Sequence, residues 1–389
     1  MNKLFILNVS AVTDSEIKPQ HTLVVENGYI SALLPNSQVE ELPADAQILD
    51  ACGAYAAPAF IDTHIHGYAG FGPETAREED LLEMSLALGT CGVGAFCPTL
   101  YCGTPEQMLR ILSATAGAFG KEKGAKLIGF HLEGPFISPA KPGVMKPQDI
   151  LPPRPDLLPK LYEAAQGHIA NITLAPELPG LEPIISFCKE HHILMQAGHT
   201  NATYEEFLQG ARQGVTHTTH LFNAMSPFTH RAPGAAGAVL MHPEISCEII
   251  ADGVHVHPDI VGFLGRVKPP QNIALVTDAL KPTGRPQGPF TANGEEVVLE
   301  GGVWRRKTDK VIAGSALTML KGVENLTRFG FSLPQAVACA GAVPARLLGL
   351  AGRGSLAPGQ TADVVLFDKQ FNLFKTILTG RLFDPAPHH

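Results

Sequence analysis

The 389 residues carry 45% hydrophobic and 17% charged side chains with 39 glycines and 32 prolines, a balance that excludes a fibre, a coiled coil or a disordered chain. The formal charge of −8 comes without a basic run, so there is no footprint for nucleic acid. No segment reaches the roughly 18 apolar residues that a membrane span needs.

The opening M-N-K-L-F-I-L-N-V-S has an apolar run too short for a signal peptide, and an unexported protein is expected. Cysteines at 52, 91, 97, 102, 188, 247 and 339 show no C-x-x-C spacing, which predicts reduced thiols and a cytoplasmic setting. Residues 1–56 read as strands, with Asn27-Gly28 where a two-residue hairpin turn belongs. From Gly354 the chain returns to the same idiom, G-S-L-A-P-G-Q-T-A-D-V-V-L-F-D. An isolated hairpin at either end is marginal, so 1–56 and 354–389 are expected to form one small β-sandwich beside a central domain, 57–353.

Within that domain, apolar runs at 58–66, 93–98, 127–133, 170–176, 193–198, 215–221, 246–251 and 272–278 read as strands. Helical patterns fall between most of them: 77–89, 105–118, 156–166, 182–191 and 203–213. Thr104 with Gln107, and Thr203 with Glu206, have capping-box spacing. Eight strands alternating with helices predict an α/β fold, a (β/α)8 TIM-like barrel. Beyond the eighth strand come a hairpin near 294–304 and helices near 315–329 and 333–349.

Barrels of this kind carry their chemistry at the carboxyl ends of the strands. The polar residues that close the apolar runs are His64 and His66 (strand 1), Glu133 (strand 3), His199 (strand 5), His220 (strand 6) and Asp278 (strand 8). Two residues apart on an extended strand, His64 and His66 share a face. The intervals between these positions fit two, two, one short and two βα units of about 30 residues. Taken alone, each has a plainer role: a polar strand end for His-x-His, a turn for Glu133 before Gly-Pro, a helix cap for Asp278, and a core histidine for either His217 or His220. Agreement in strand position and order selects the other reading, four imidazoles and two carboxylates around a divalent ion such as zinc or iron. His131 lies on the face of Glu133 and is expected to support the set.

The segments P-A-F-I-D-T-H-I-H-G, H-L-E-G-P-F-I-S, Q-A-G-H-T-N-A, T-H-L-F-N-A-M-S, A-D-G-V-H-V, T-D-A and A-G-S occur in that order over nearly the whole chain. In this the chain resembles the amidohydrolase superfamily and, within it, the N-acetylglucosamine-6-phosphate deacetylases. The resemblance implies that Glu133, His199 and His220 hold the principal ion, and that His64 and His66, with Glu133 bridging, hold a second where two are bound. It implies metal-assisted hydrolysis of an N-acetyl group, with Asp278 as general base and then acid, giving acetate and an amino sugar phosphate. It also implies a substrate pocket with Asn223, Ala224, Arg231, Asp252, His255, Val144, Met145, Ala313 and Gly314, and a homodimer in which Arg231 reaches the neighbouring site.

One departure stands out. In the K-P-G-V-M segment, Met145 occupies the place of a histidine that in the family helps to contact substrate, and a thioether cannot donate a hydrogen bond. The alternatives left open are N-acetylgalactosamine 6-phosphate or another N-acylated sugar phosphate as substrate, and a catalytically inactive barrel that acts as a binding protein.

Overall fold

Eight short parallel strands form the centre of the computed structural model, which describes residues 3–39, 42–44, 46–285 and 290–386. Barrel strands 1 to 6 are Phe60–Ile65, Val93–Leu100, Phe130–Glu133, Ile169–Leu174, Leu194–Ala197 and His217–Thr218, hydrogen-bonded side by side in chain order. Strands 7 and 8, Cys247–Ile250 and Ile273–Val276, pair with each other. The Leu221 N–H donates to Glu248 O (3.0 Å) and the Asp278 N–H to His64 O (2.9 Å), which joins strand 6 to strand 7 and strand 8 to strand 1. Every residue of strands 1, 2, 3, 7 and 8 is buried. Such continuous burial, rather than alternation, is what a parallel sheet covered by helices requires.

Two outer helices start at the expected caps, Thr104 and Gln107 closing a capping box at Pro105–Thr115 and Thr203 and Glu206 another at Tyr204–Gln213. Ser332 with Gln335 forms a third, not read from the sequence, at Leu333–Ala340. Two helices beyond those read from the sequence, Gly234–Met241 and Pro258–Val267, follow strands 6 and 7. The fold is therefore an α/β barrel with eight strands, carrying additional sheets.

Both ends of the chain meet in one eight-stranded sheet. Lys3–Val12 pairs with Ile17–Glu26 and with Tyr55–Pro58, and the last of these pairs with Val364–Phe367 from the far end of the chain. Leu4, Ile6, Val9, Leu23, Ile30, Val364, Leu366 and Ile377 form a separate apolar core there. The expected sandwich takes the form of a continuous sheet, and Tyr55–Pro58 runs on through Ala59 into barrel strand 1. Residues 1–2 and 387–389, which belong to the same expected unit, lie outside the described residues.

After strand 8 the chain forms a four-stranded antiparallel sheet, Phe290–Ala292, Glu295–Glu300, Val303–Arg306 and Ile312–Ser315, where the sequence suggested a hairpin. It closes over Leu280, Ala292, Val297 and Trp304. The Ser315 N–H donates to Asp278 O (2.9 Å), so the last strand places Ala313 and Gly314 at the barrel mouth. Among the described residues no helix is long and apolar enough to cross a membrane.

Candidate metal centre

The side chains that close strands 1, 3, 5, 6 and 8 converge. His199 Nε2 and His220 Nε2 each lie 3.1 Å from Glu133 Oε1, and 3.2 Å from each other. On the other side of the same carboxylate, His66 Nε2 is 3.2 Å from Glu133 Oε2 and His64 Nε2 is 3.5 Å from Oε1. Asp278 Oδ1 closes the group at 3.4 Å from His66 Nε2 and 3.6 Å from His64 Nε2. Two overlapping triads result, His64–His66–Glu133 and Glu133–His199–His220, all buried and each compact enough for one ion.

The strands deliver these groups through an unusual backbone. His199 (φ 45°), His220 (φ 29°) and Asp278 (φ 49°) all occupy the left-handed region, as do Phe222 and Ala224 just after His220. For residues with a β-carbon that conformation costs about 1–3 kcal/mol each and survives only where the surroundings enforce it, mostly at functional sites. Turning the chain sharply at the strand end aims each side chain across the mouth instead of out along the helix.

Protonation decides what the cluster can hold. The His199 Nδ1–H donates to Lys141 O (3.0 Å), which leaves the Nε2 lone pair facing Glu133. The His64 Nδ1–H donates to Glu248 Oε2 (3.0 Å), and among the described residues its Nε2 has no hydrogen-bond partner. Lone pairs and carboxylate oxygens this close repel unless a cation lies between them. Burial opposes charge on His64, yet the carboxylates of Glu248, Glu133 and Asp278 outweigh it and raise the imidazole to about 10, so without a metal a second proton occupies Nε2, and a bound cation takes its place. Burial likewise pushes Glu133 upward, and His64 with the ring hydrogen bonds of His199, His220 and His66 overcomes it, holding the carboxyl well below the usual range. The donor set thus fits a divalent cation, with borderline nitrogen and hard oxygen ligands in the number such ions take.

His131 reaches none of these atoms. Its ring nitrogens meet Thr99 Oγ1 (3.2 Å) and Thr173 Oγ1 (2.8 Å), and its ring stands edge-on to His64 with centroids 4.5 Å apart. It braces the face of His64. His217 is the core histidine of its pair, bonded to Ser246 Oγ at 2.7 Å.

A cavity of about 510 Å³ opens above the cluster, lined by Asn223, Ala224, His255, Val144, Met145, Ala313 and Gly314 among others. Asp252 stands behind it and accepts the His255 Nδ1–H at 2.6 Å, which directs the free face of that ring to the cavity. Asn223 Nδ2 is turned back to His220 O (3.2 Å) and Leu221 O (3.3 Å). Arg231 is exposed on the loop before Gly234–Met241 and does not line the cavity of its own chain. Met145 is buried against Cys102 and Ile137, with Tyr101 and Ile150 packed alongside, so it fills core space at the cavity edge.

Sequence reasoning passed over two residues. Tyr101, directly after strand 2, stacks flat on His66 with ring centroids 3.7 Å apart and also lines the cavity. Its signal was its place at a strand end, the rule used for the histidines, but an aromatic there reads as core. Glu248, in strand 7, is fully buried beneath the cluster, and a charged residue inside the run C-E-I-I was the signal.

An α/β barrel with imidazoles and carboxylates converging at its carboxyl-terminal mouth defines a class, the barrel hydrolases that work through a divalent cation. Residues 55–386 match the model of the amidohydrolase family. The chain belongs to that family, whose members are metal-dependent enzymes. It is 30% identical over 382 residues to N-acetylglucosamine-6-phosphate deacetylase of Lysinibacillus sphaericus, covering 97% of each chain. It is 32% identical to N-acetylgalactosamine-6-phosphate deacetylase of Escherichia coli O157:H7, covering 93% of this chain and 94% of that one. Its fold superposes on the crystal structure of N-acetylglucosamine-6-phosphate deacetylase from Pasteurella multocida with a TM-score of 0.91 at 30% identity, covering 98% of this chain and all of the other.

Proposed function

We propose that the protein hydrolyses the N-acetyl group of N-acetyl-D-glucosamine 6-phosphate, releasing acetate and D-glucosamine 6-phosphate. The observation that carries this is the meeting of Glu133, His199, His220, His64, His66 and Asp278 beneath one sugar-sized cavity, in a chain similar from end to end to such deacetylases. Glu133, His199 and His220 would hold one ion and His64 and His66, sharing Glu133, a second, with Zn2+ the first choice and Fe2+ the next. Such an ion lowers the pKa of water toward about 7 and polarises an amide carbonyl. Asp278 accepts a proton from the attacking water at its carboxylate and returns it to the departing amine nitrogen, without which an amine leaves badly.

Substrate-binding roles follow the cavity: His255, oriented by Asp252, Asn223, the backbone of Ala224, Ala313 and Gly314, and the walls at Val144 and Met145. Among the described residues, Lys141 and His255 are the side chains outside the cluster itself that can bring positive charge to the cavity from one chain. A phosphate calls for a further cation, and Arg231 from the second subunit of a homodimer is our candidate. Phe228 on that loop and Met241 at the end of the helix that follows it are exposed large apolar side chains, which supports a covered face there. The division into a terminal unit (1–56 with 354–389) and a catalytic barrel (57–353), and a cytoplasmic location for a chain whose seven cysteines are all free, belong to the same reading. N-acetylgalactosamine 6-phosphate is the second reading, supported by the Escherichia coli relative.

The test is acetate release from each sugar, with and without its phosphate. We expect kcat/KM to be highest for N-acetylglucosamine 6-phosphate and Asp278→Asn to lower kcat by at least about 100-fold. Equal rates on the unphosphorylated sugar would refute the anion pocket.

A further inference from the structure

The structure assigns Glu248 a positioning role: through a one-directional chain of buried hydrogen bonds it fixes which ring nitrogen of His64 faces the metal cluster. This rests on the metal reading proposed above. Glu248 is wholly buried, and its two oxygens take separate duties. Oε2 faces His64 Nδ1 at 3.0 Å and accepts the His220 N–H at 3.2 Å. Oε1 accepts from Gln196 Nε2 at 2.7 Å.

The direction of the chain follows from an acceptor that cannot be turned round. The backbone carbonyl of Thr63 lies 3.3 Å from Asn171 Nδ2, so the amino end of Asn171 must point that way. The same nitrogen donates to Gln196 Oε1, which leaves the amino end of Gln196 for Glu248. Rotating either amide would set oxygen against oxygen, at Thr63 or at the carboxylate. Glu248 is therefore a pure acceptor, and the His64 proton sits on Nδ1. What remains to receive a cation is Nε2, placed between Glu133 Oε1 (3.5 Å) and Asp278 Oδ1 (3.6 Å). Starting at Thr63 and ending at its neighbour His64, the circuit crosses strands 4, 5 and 7. The same oxygen that faces His64 accepts the His220 backbone N–H, a contact that leaves the ring nitrogens of His220 outside the circuit.

Carboxylate partners of metal-binding histidines are worth about 10–100-fold in metal affinity. The test is titration of Zn2+ into the metal-free protein against a chromophoric chelator, for wild type, His64→Ala, Glu248→Gln and Gln196→Leu. An amide at 248 keeps the size but has a donating end. That end faces either Gln196 Nε2, donor against donor, or His64 Nδ1, which moves the ring proton to Nε2 and removes the ligand.

Whether wild type takes up one ion or two, His64→Ala is expected to weaken a particular ion. Glu248→Gln should weaken that same ion at least tenfold, leaving any other within about threefold. Where Glu248→Gln does not fold, Gln196→Leu carries the test, with a smaller loss confined to the same ion. The inference is overturned if the folded Glu248 or Gln196 variant binds as wild type does, if its loss is spread equally over two ions, or if His64→Ala weakens none. Acetate release is scored separately. A metal-loaded wild type that releases none sinks the proposed function and leaves the zinc comparison standing.

Discussion

His217 shows how a buried histidine that takes no part in the cluster still sets the protein's response to acid. Burial is the main cause that lowers its imidazole to about 4, with Glu248 pulling the other way and Arg346 and Lys268 assisting. The ordinary value of 6.5 applies once the chain unfolds. Between these values the unfolded chain binds the proton and the folded chain does not, so stability falls as pH drops from about 6.5 towards about 4. From pH 7.5 to pH 5 the loss from this one group is about 2 kcal/mol. Urea unfolding of His217→Gln beside wild type should show an acid limb shallower by about that amount, and parallel limbs would contradict it. Met145 gives a different lesson. Its place in a motif suggested a position in the substrate pocket, and it lines the cavity while packing on Cys102, Ile137, Tyr101 and Ile150. We expect Met145→Leu to cost under about 1.5 kcal/mol. Met145→His, which sets a polar ring against Cys102 and Ile137 at the cavity edge, should cost about 1–3 kcal/mol, read as a lower urea midpoint. His64, His66, Glu133, His199, His220 and Asp278 were readable because each ends an apolar run, a position with a known consequence in a barrel. Glu248 sits inside its run, and the sequence does not say which way a strand residue points until its partners are known.

The loop over residues 139–146 shows why connecting segments matter at the scale of an element. Lys141 O receives the His199 Nδ1–H at 3.0 Å, and Gly143 (φ 58°) passes so close that a β-carbon there would stand 2.9 Å from His199 Cε1. Gly143→Ala must displace the ring or the loop, and the ring carries a lone pair that the cluster needs. A drop of at least about tenfold in kcat/KM is expected, with the unfolding free energy lowered by only about 1–2 kcal/mol of left-handed strain. Unchanged kinetics would show that the loop yields instead. Elements differed in how plainly the sequence announced them. Strands with continuous burial and helices with capping boxes stood out, because both patterns are local. The helix Gly234–Met241 did not: in G-A-A-G-A-V-L-M six residues are buried and no polar face marks a period. The four-stranded sheet was read only as a hairpin at 294–304, because its outer strands, Phe290–Ala292 and Ile312–Ser315, are three and four residues long.

At the scale of the molecule, the barrel completes the cluster within one chain but, among the described residues, brings only Lys141 and His255 as sources of positive charge beside it, short of what the proposed phosphate calls for. The two needs make distinct demands on the sequence: metal donors must converge at strand ends of one barrel, whereas an anion-binding arginine can come from any surface that reaches the mouth. Arg231 lies on an exposed loop outside its own cavity, and if it serves a neighbour then the two functions are separable by genetics. Arg231→Ala keeps the cluster and loses the phosphate contact, which should raise KM for the phosphorylated sugar by at least about tenfold and leave its kcat within a few-fold. Asp278→Asn keeps the arginine and loses the proton transfer. If the proposed homodimer holds, mixing the two weakly active variants under conditions that allow subunits to exchange should give heterodimers in which the Arg231→Ala chain, with Asp278 intact, receives Arg231 from its partner. One of the two sites in such a dimer is whole. Activity at substrate concentrations well below the wild-type KM should then rise on mixing above the average of the separate variants, and the gain should vanish when exchange is blocked. If mixing leaves the average unchanged while exchange is verified by mass, Arg231 acts on its own chain or not at all, and the missing charge has to be sought elsewhere at the barrel mouth.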